Sequence, residues 1–173
     1  EKLKCTTRHC DTSTGRRESV AEHSWRLCLF ALLVADEFPD TDMNKVIRMC
    51  IIHDLGEAFT GDIATFNKTD EHIKTEEDSF SQWVASFPAP QKEEFSALLR
   101  EMNEMKTPEA MLYKALDKLE AVIQHNESDI KSWLPLEYEL QLTYGRENVG
   151  FSPYLLELKK YIDDWTKRKI IEE

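Results

Sequence analysis

Ser19-Val20-Ala21-Glu22-His23-Ser24-Trp25-Arg26-Leu27-Cys28-Leu29-Phe30-Ala31-Leu32-Leu33-Val34-Ala35 reads as a helix with a marked beginning. Ser19 is placed to cap the first turn, and Glu22 to reach back to the Ser19 amide, the reciprocal pairing of a capping box. Nearly every position from Leu27 to Ala35 is apolar. A helix without a polar face belongs inside the protein, so this one is expected to run to about Asp36 at the centre of the fold.

Working outward, Pro39 closes this region, and Thr41 or Asp42 starts a second helix that carries Val46, Ile47, Met49, Cys50, Ile51 and Ile52 into His53-Asp54. Gly56 and Gly61 loosen the backbone around Glu57 and Asp62. A more polar helix is expected over 69–86, with Ile73, Phe80, Trp83 and Val84 as its apolar stripe, then a break at Phe87-Pro88-Ala89-Pro90 and a helix over roughly 91–104. Thr107-Pro108 supplies an N-cap and a proline at the first helical position. The helix it opens runs to about His125 and carries Asp117 among Leu112, Leu116, Leu119, Val122 and Ile123. Ser152-Pro153 opens a last amphipathic helix through Leu155, Leu156, Leu158, Tyr161, Ile162 and Trp165. Trp25, Trp83, Trp133 and Trp165 all lie at helical spacing from other apolar residues and read as core.

With 173 residues, five glycines and six prolines, the chain has little material for the turns of an all-β fold. Its stretches rich in Leu, Ala, Glu, Lys and Met favour helix. The expected fold is all-α, a single-domain helical bundle long enough to bury a core. The domain is expected to span 1–173, with a core at about 8–126 and C-terminal helices at about 133–170. A formal net charge of −11 argues against nucleic acid or an anionic membrane as partner. An anionic small molecule remains open if local cations or a metal reverse the field at a site. No run of eighteen apolar residues and no signal peptide is read in the sequence, and a cytoplasmic, reducing setting is expected. Cys28 and Cys50 sit in apolar runs as small hydrophobes. Cys5 and Cys10 lack a second pair at zinc-finger spacing.

The chemistry gathers on a few acids and histidines. His53-Asp54 ends an apolar run, and His23 lies 30 residues earlier in another. Buried ionisable side chains are costly unless paired or bound to a cation. His23, His53, Asp54 and Asp117, on three expected helices, would converge as a His₂Asp₂ set suited to a divalent ion with positions open for water or substrate. Taken singly, His23 also reads as a core histidine and Asp54 as a helix end. Glu57 follows His53 by four residues and Asp54 by three, so one more helical turn would put all three on a face, with Glu57 a general acid or base. Asp62 in Thr60-Gly61-Asp62-Ile63 reads as a turn residue or as an acceptor for a substrate hydroxyl. Among Arg8, Arg16 and Arg17, Arg8 is the candidate for an anionic substrate group, since arginine grips phosphate with a two-pronged fork. Lys114 and Lys118 flank Asp117 at i−3 and i+1; Lys118 cannot share its face and is read as pairing with a surface acid or reaching the pocket rim. No Gly-x-Ser-x-Gly or activated cysteine supports nucleophilic catalysis.

The blocks Glu18-Ser19-Val20-Ala21-Glu22-His23-Ser24, Ile52-His53-Asp54-Leu55-Gly56-Glu57, Thr60-Gly61-Asp62-Ile63 and Leu116-Asp117-Lys118-Leu119-Glu120 resemble the HD-domain superfamily of metal-dependent phosphohydrolases, in its 5'-deoxynucleotidase branch. The resemblance implies an HD-type all-α bundle that dimerises as a homodimer. It implies His23, His53, Asp54 and Asp117 as ligands of one divalent metal ion (Co²⁺, Mn²⁺, Zn²⁺ or Mg²⁺). It further implies Glu57 acting on the attacking water, Arg8 holding the nucleotide and Asp62 near the sugar. Histidines of a dinuclear pattern are missing between His53 and Asp117, apart from His72. Where the bacterial members have Arg-Trp, this chain has Arg8-His9, and that tryptophan shapes the sugar pocket. The expected function is release of phosphate from nucleoside 5'-monophosphates, 5'-deoxynucleotides foremost. The alternatives are hydrolysis of another small phosphate ester, a nucleotide sensor without turnover, and a purely structural helical protein.

Overall fold

The capping box at Ser19 forms: the Ser19 hydroxyl accepts from the Glu22 amide at 3.3 Å, and the Ser19 amide donates to Glu22 Oε2 at 2.9 Å. The structure, a computed structural model describing residues 1–172, builds helix α1 from this start over Val20–Leu33. Then follow α2 (Met43–Ile52), α3 (Glu57–Thr60), α4 (Asp70–Ala85), α5 (Gln91–Glu104), α6 (Pro108–Glu127), α7 (Glu137–Thr143) and α8 (Pro153–Glu172). Asp42 caps α2 through the Lys45 amide, Thr107 caps α6 through the Ala110 amide, and Ser152 opens α8 by accepting from the Leu155 amide. These starts fall where the sequence puts them, because each rests on a local side-chain-to-backbone bond. The fold is all-α apart from one hairpin.

That hairpin was not legible in the sequence. Strands β1 (Thr7–Asp11) and β2 (Arg17–Ser19) pair antiparallel, Thr7 opposite Ser19 and Asp11 opposite Arg17. Four residue steps on one strand face two on the other, so the ladder is irregular, which erases the alternating pattern that marks a strand. Gly15 makes the turn with φ +80°. The hairpin is fastened to α6 by Gln124, whose side-chain amide donates to the Asp11 carbonyl at 2.7 Å.

The centre of the molecule is α6 rather than α1. Both α1 and α2 pack against it, as does α8. Leu112, Ala115, Leu116, Leu119 and Val122 of α6 are fully buried against Leu27 and Ala31 of α1 and Val46, Met49 and Cys50 of α2. The expectation that α1 is buried all round is therefore corrected. One side packs, while Trp25 (65% exposed), Leu29, Leu32 and Leu33 (75% exposed) face outward. The same correction applies to Tyr161 and Leu156 of α8 and, in part, to Trp83, all of which keep exposed surface. Apolar residues at helical spacing specify a helix but not how many neighbours it has. No helix among the described residues is long and apolar enough to cross a membrane.

After Ile52 the chain stays helically wound but tightens. Leu55, Glu57, Ala58 and Phe59 all donate to carbonyls three residues back. This 3₁₀-like passage into α3 keeps His53, Asp54 and Glu57 close together without a continuous α-helix. Gly61, at φ +79°, ends α3 and turns Asp62 back toward the hairpin.

Candidate metal centre

Three elements deliver four side chains to one point. α1 brings His23 from its first turn, the end of α2 brings His53 and Asp54, and α6 brings Asp117. His23 Nε2 lies 3.2 Å from His53 Nε2, 3.8 Å from Asp54 Oδ2 and 3.3 Å from Asp117 Oδ1. His53 Nε2 lies 3.0 Å from Asp54 Oδ2 and 3.6 Å from Asp117 Oδ1. Donor atoms around one ion, at bond lengths of about 2.1 Å, are themselves roughly 3.0–3.4 Å apart. The spacing fits.

The donor chemistry fits too. His53 Nδ1 donates to the Cys50 carbonyl at 2.8 Å, and His23 Nδ1 is bonded to the Glu120 carboxylate. Both rings therefore turn their Nε2 atoms toward each other. Two neutral imidazoles so placed oppose their lone pairs, which a shared cation relieves. Protons take the cation's place when it is absent. Burial opposes a charged His53, but Asp54 and Asp117 outweigh it and push its pKa up to about 10. Burial also works against ionised Asp117, yet Lys114 and the two imidazoles hold its carboxyl well below the usual range.

Glu57 stands beside this cluster, with Asp54, Glu57 and Glu76 presenting carboxylate oxygens close together. It is 4% exposed, and its Oε2 is buried with no hydrogen-bond partner. Burial first, then the charges of Asp54, Asp62 and Glu76, push its pKa up to about 10, with Arg8 opposing. Arg8 enters from β1, with Nε 3.2 Å from Glu18 Oε2 and a terminal nitrogen 3.7 Å from Asp54 Oδ2. Burial opposes its charge, but Glu120, Asp54 and Glu18 hold the guanidinium protonated. Arg8, Asp62, His53, Asp54, Glu57 and Asp117 all line one open cleft. Arg16 and Arg17 are elsewhere, paired with Glu22 and Asp11 at the surface.

A family model of the HD domain matches residues 1–159. The chain belongs to the HD-domain family. This HD domain is similar to 5'-deoxynucleotidase HDDC2 of Danio rerio, 31% identical over 156 residues that cover 88% of this chain and 76% of that protein. The Homo sapiens 5'-deoxynucleotidase HDDC2 is 30% identical over 114 residues, covering 65% of this chain and 55% of its own length. The match thus spans little more than half of the human relative. Among solved structures, a predicted metal-dependent phosphohydrolase from Magnetospirillum magnetotacticum superposes with a TM-score of 0.80 at 28% identity, covering 97% of this chain and 87% of that one. A conserved hypothetical protein from Pyrococcus furiosus superposes at 0.72 with 29% identity, covering 93% of each chain.

The HD site has supports to which sequence reading gave no role. Lys114 donates to Asp117 Oδ2 at 2.9 Å, which leaves Oδ1 to face the imidazoles. Glu120 stands behind His23, with Arg26 Nε 3.3 Å from its other oxygen. Metal-bound histidines are regularly oriented by such an outer carboxylate. The i−3 and i+3 spacing of Lys114 and Glu120 from Asp117 was the available signal. Glu76 and Lys68 pair at 2.6 Å on the far wall. Lys118 reaches the rim, donating to the Tyr144 hydroxyl at 2.7 Å. His9, where the family's tryptophan would stand, sets its ring edge against Phe66 and its Nε2 3.6 Å from Glu137. Cys10 is buried and its thiol donates to Glu18, whereas Cys5 is exposed.

Proposed function

We propose that this HD domain is a metal-dependent phosphohydrolase acting on nucleoside 5'-monophosphates, with 5'-deoxynucleotides as its main class. His23, His53, Asp54 and Asp117 would hold one divalent ion. When bound, such an ion supplies Lewis-acid stabilisation of a phosphoryl oxygen and lowers the pKa of water. The chain's own groups account for the rest. Arg8, anchored by Glu18, offers its fork to the phosphate and offsets charge as it moves toward the leaving oxygen. Glu57 takes a proton from the attacking water and returns it to the departing 5'-oxygen, leaving an alcohol and inorganic phosphate. Beside a cation held by the four ligands, the carboxyl's proton affinity, raised by burial and the neighbouring acids, is lowered, which leaves it ionised to accept the proton and then return it.

The single observation that carries this reading is Glu57 itself. A buried carboxyl oxygen without a partner, set among three other acids, destabilises a site meant only to bind. It supports turnover. The deciding experiment is phosphate release from all common 5'-dNMPs and 5'-NMPs, with other phosphomonoesters beside them, across Co²⁺, Mn²⁺, Zn²⁺ and Mg²⁺. Release from the deoxynucleotides ahead of the ribonucleotides supports the proposal. Tight binding without release would replace it with a sensor, and preferential release from a non-nucleotide ester would replace the substrate class.

We propose a homodimer as well. Trp25, Leu29, Leu32 and Leu33 form one apolar stripe at i, i+4, i+7 and i+8 along α1, exposed to a degree unusual for side chains of this size. Sedimentation is expected to give twice the 20.2 kDa chain mass, and a single species at 20.2 kDa would refute it.

A further inference from the structure

Beside the cleft lies a second, smaller cavity that the phosphate chemistry does not use. The two are continuous, since Arg8, Asp62, Thr65, Ala121 and Tyr144 line both. Its inner wall is one face of α7, where Glu137, Leu140 and Gln141 follow one another at helical spacing, with Tyr144 just past the helix end. Glu137 and Gln141 are both almost wholly buried.

A buried polar face needs partners, and here the two residues differ. The Glu137 carboxylate is occupied: it accepts from the Leu134 amide at 2.6 Å and lies 3.0 Å from His125 Nε2. The Tyr144 hydroxyl is occupied by Lys118 and Thr65. The Gln141 side chain, 4% exposed, makes no hydrogen bond to any described residue, though it carries two donor hydrogens and an acceptor. Its amide atoms are not among the fully buried polar atoms that lack a partner, so they face the open space of the cavity. A side chain kept in that condition on the wall of a cavity is expected to have its partner arrive with a ligand.

We propose that this cavity takes the nucleobase of the substrate and that the Gln141 carboxamide hydrogen-bonds the edge of the base. The proposal rests on the nucleotide reading above. A carboxamide sets a donor beside an acceptor in one plane, matching the edge of a planar heterocycle that does the same. In one orientation it pairs with an exocyclic amine next to a ring nitrogen, as in adenine and cytosine. Turned over, it pairs with a carbonyl next to a ring N–H, as in guanine and thymine. No hydrogen bond fixes the amide in the structure, so it can turn to serve either class. Phe66 and Leu140 on the same walls offer apolar contact to the base's faces. The phosphate is left to Arg8 at the shared opening.

The test is kcat/KM for the four 5'-dNMPs and for deoxyribose 5-phosphate, which lacks a base, in the wild type and in Gln141→Met, a replacement of similar volume without the donor and acceptor. The wild type is expected to favour the dNMPs over deoxyribose 5-phosphate by at least about tenfold. In Gln141→Met that ratio falls by about tenfold or more, carried mainly in KM. A wild type that turns over deoxyribose 5-phosphate as well as the dNMPs overturns the inference without recourse to any variant. So does a variant that keeps the wild-type ratio, whether fully active or losing nucleotide and deoxyribose 5-phosphate turnover in equal proportion. Absence of any nucleotide turnover in the wild type overturns the nucleotidase reading and this inference with it.

Discussion

Glu57→Gln is expected to lower kcat for nucleotide hydrolysis by at least about 100-fold while the protein still binds its divalent ion. The amide keeps the size of the carboxyl and its place beside Asp54, but it can neither take a proton from water nor return one. The four ligands His23, His53, Asp54 and Asp117 are untouched, so metal affinity is expected to stay within a few-fold of the wild type.

The same substitution has a thermodynamic signature. In the folded, metal-free protein the Glu57 carboxyl is pushed up to about 10 by burial and by Asp54, Asp62 and Glu76, whereas in the unfolded chain it titrates near 4.5. A raised carboxyl contributes stability that is fully present below about pH 4.5 and is lost as pH rises toward 10, because the unfolded state releases the proton first. The amide that replaces it does not titrate. Chelated wild-type protein is therefore expected to lose more melting temperature between about pH 6 and pH 9 than chelated Glu57→Gln, and the variant is expected to be the more stable at about pH 9. Normal turnover by the variant would remove Glu57 from the chemistry, and identical pH slopes would show that its burial carries no cost.

The second large effect is expected at Glu120, which touches neither substrate nor metal. Its carboxylate is 1% exposed, fixes the ring of His23 through Nδ1 and is flanked by Arg26. Without it, His23 loses both the tautomer and the orientation that turn Nε2 to the site. Outer carboxylates of this kind typically contribute about 10- to 100-fold in metal affinity. Glu120→Ala is expected to weaken Co²⁺ or Mn²⁺ binding by that factor, measured by direct titration. Glu120→Gln, which still offers an oxygen to the Nδ1 hydrogen, is expected to recover most of the loss. Unaltered affinity in Glu120→Ala, or equal losses in the two variants, would contradict the role.

How much of this was legible in the sequence depends on the range of the interaction that encodes each feature. Helix starts at Ser19, Asp42, Thr107 and Ser152 were legible, since a cap is a bond between residues a few positions apart. His23, His53, Asp54 and Asp117 were legible as ionisable groups in apolar runs, where only pairing or a cation accounts for them. The β1–β2 hairpin was not, because its irregular register hides the two-residue period. Nor was the outward side of α1: Leu32 and Leu33 carry no local mark distinguishing them from Leu27, and only the position of α6 decides which side packs. Glu120 stood at plain helical spacing from Asp117 and was passed over, and Lys114 was noted at i−3 without a role. Gln141 had no signal at all. Its lack of a partner is a property of the assembled cavity, not of any stretch of chain.

The central claim is that His23, His53, Asp54 and Asp117 form one catalytic metal site, and one measurement addresses it most directly: phosphate release from a 5'-dNMP after chelation and dialysis, followed by return of a divalent ion, in wild type and Asp117→Ala. Activity is expected to vanish on chelation, to return in the wild type on addition of Co²⁺ or Mn²⁺, and to stay absent in the variant at the same ion concentration. Turnover that survives complete removal of metal, or an Asp117→Ala protein restored as fully as the wild type, would contradict it.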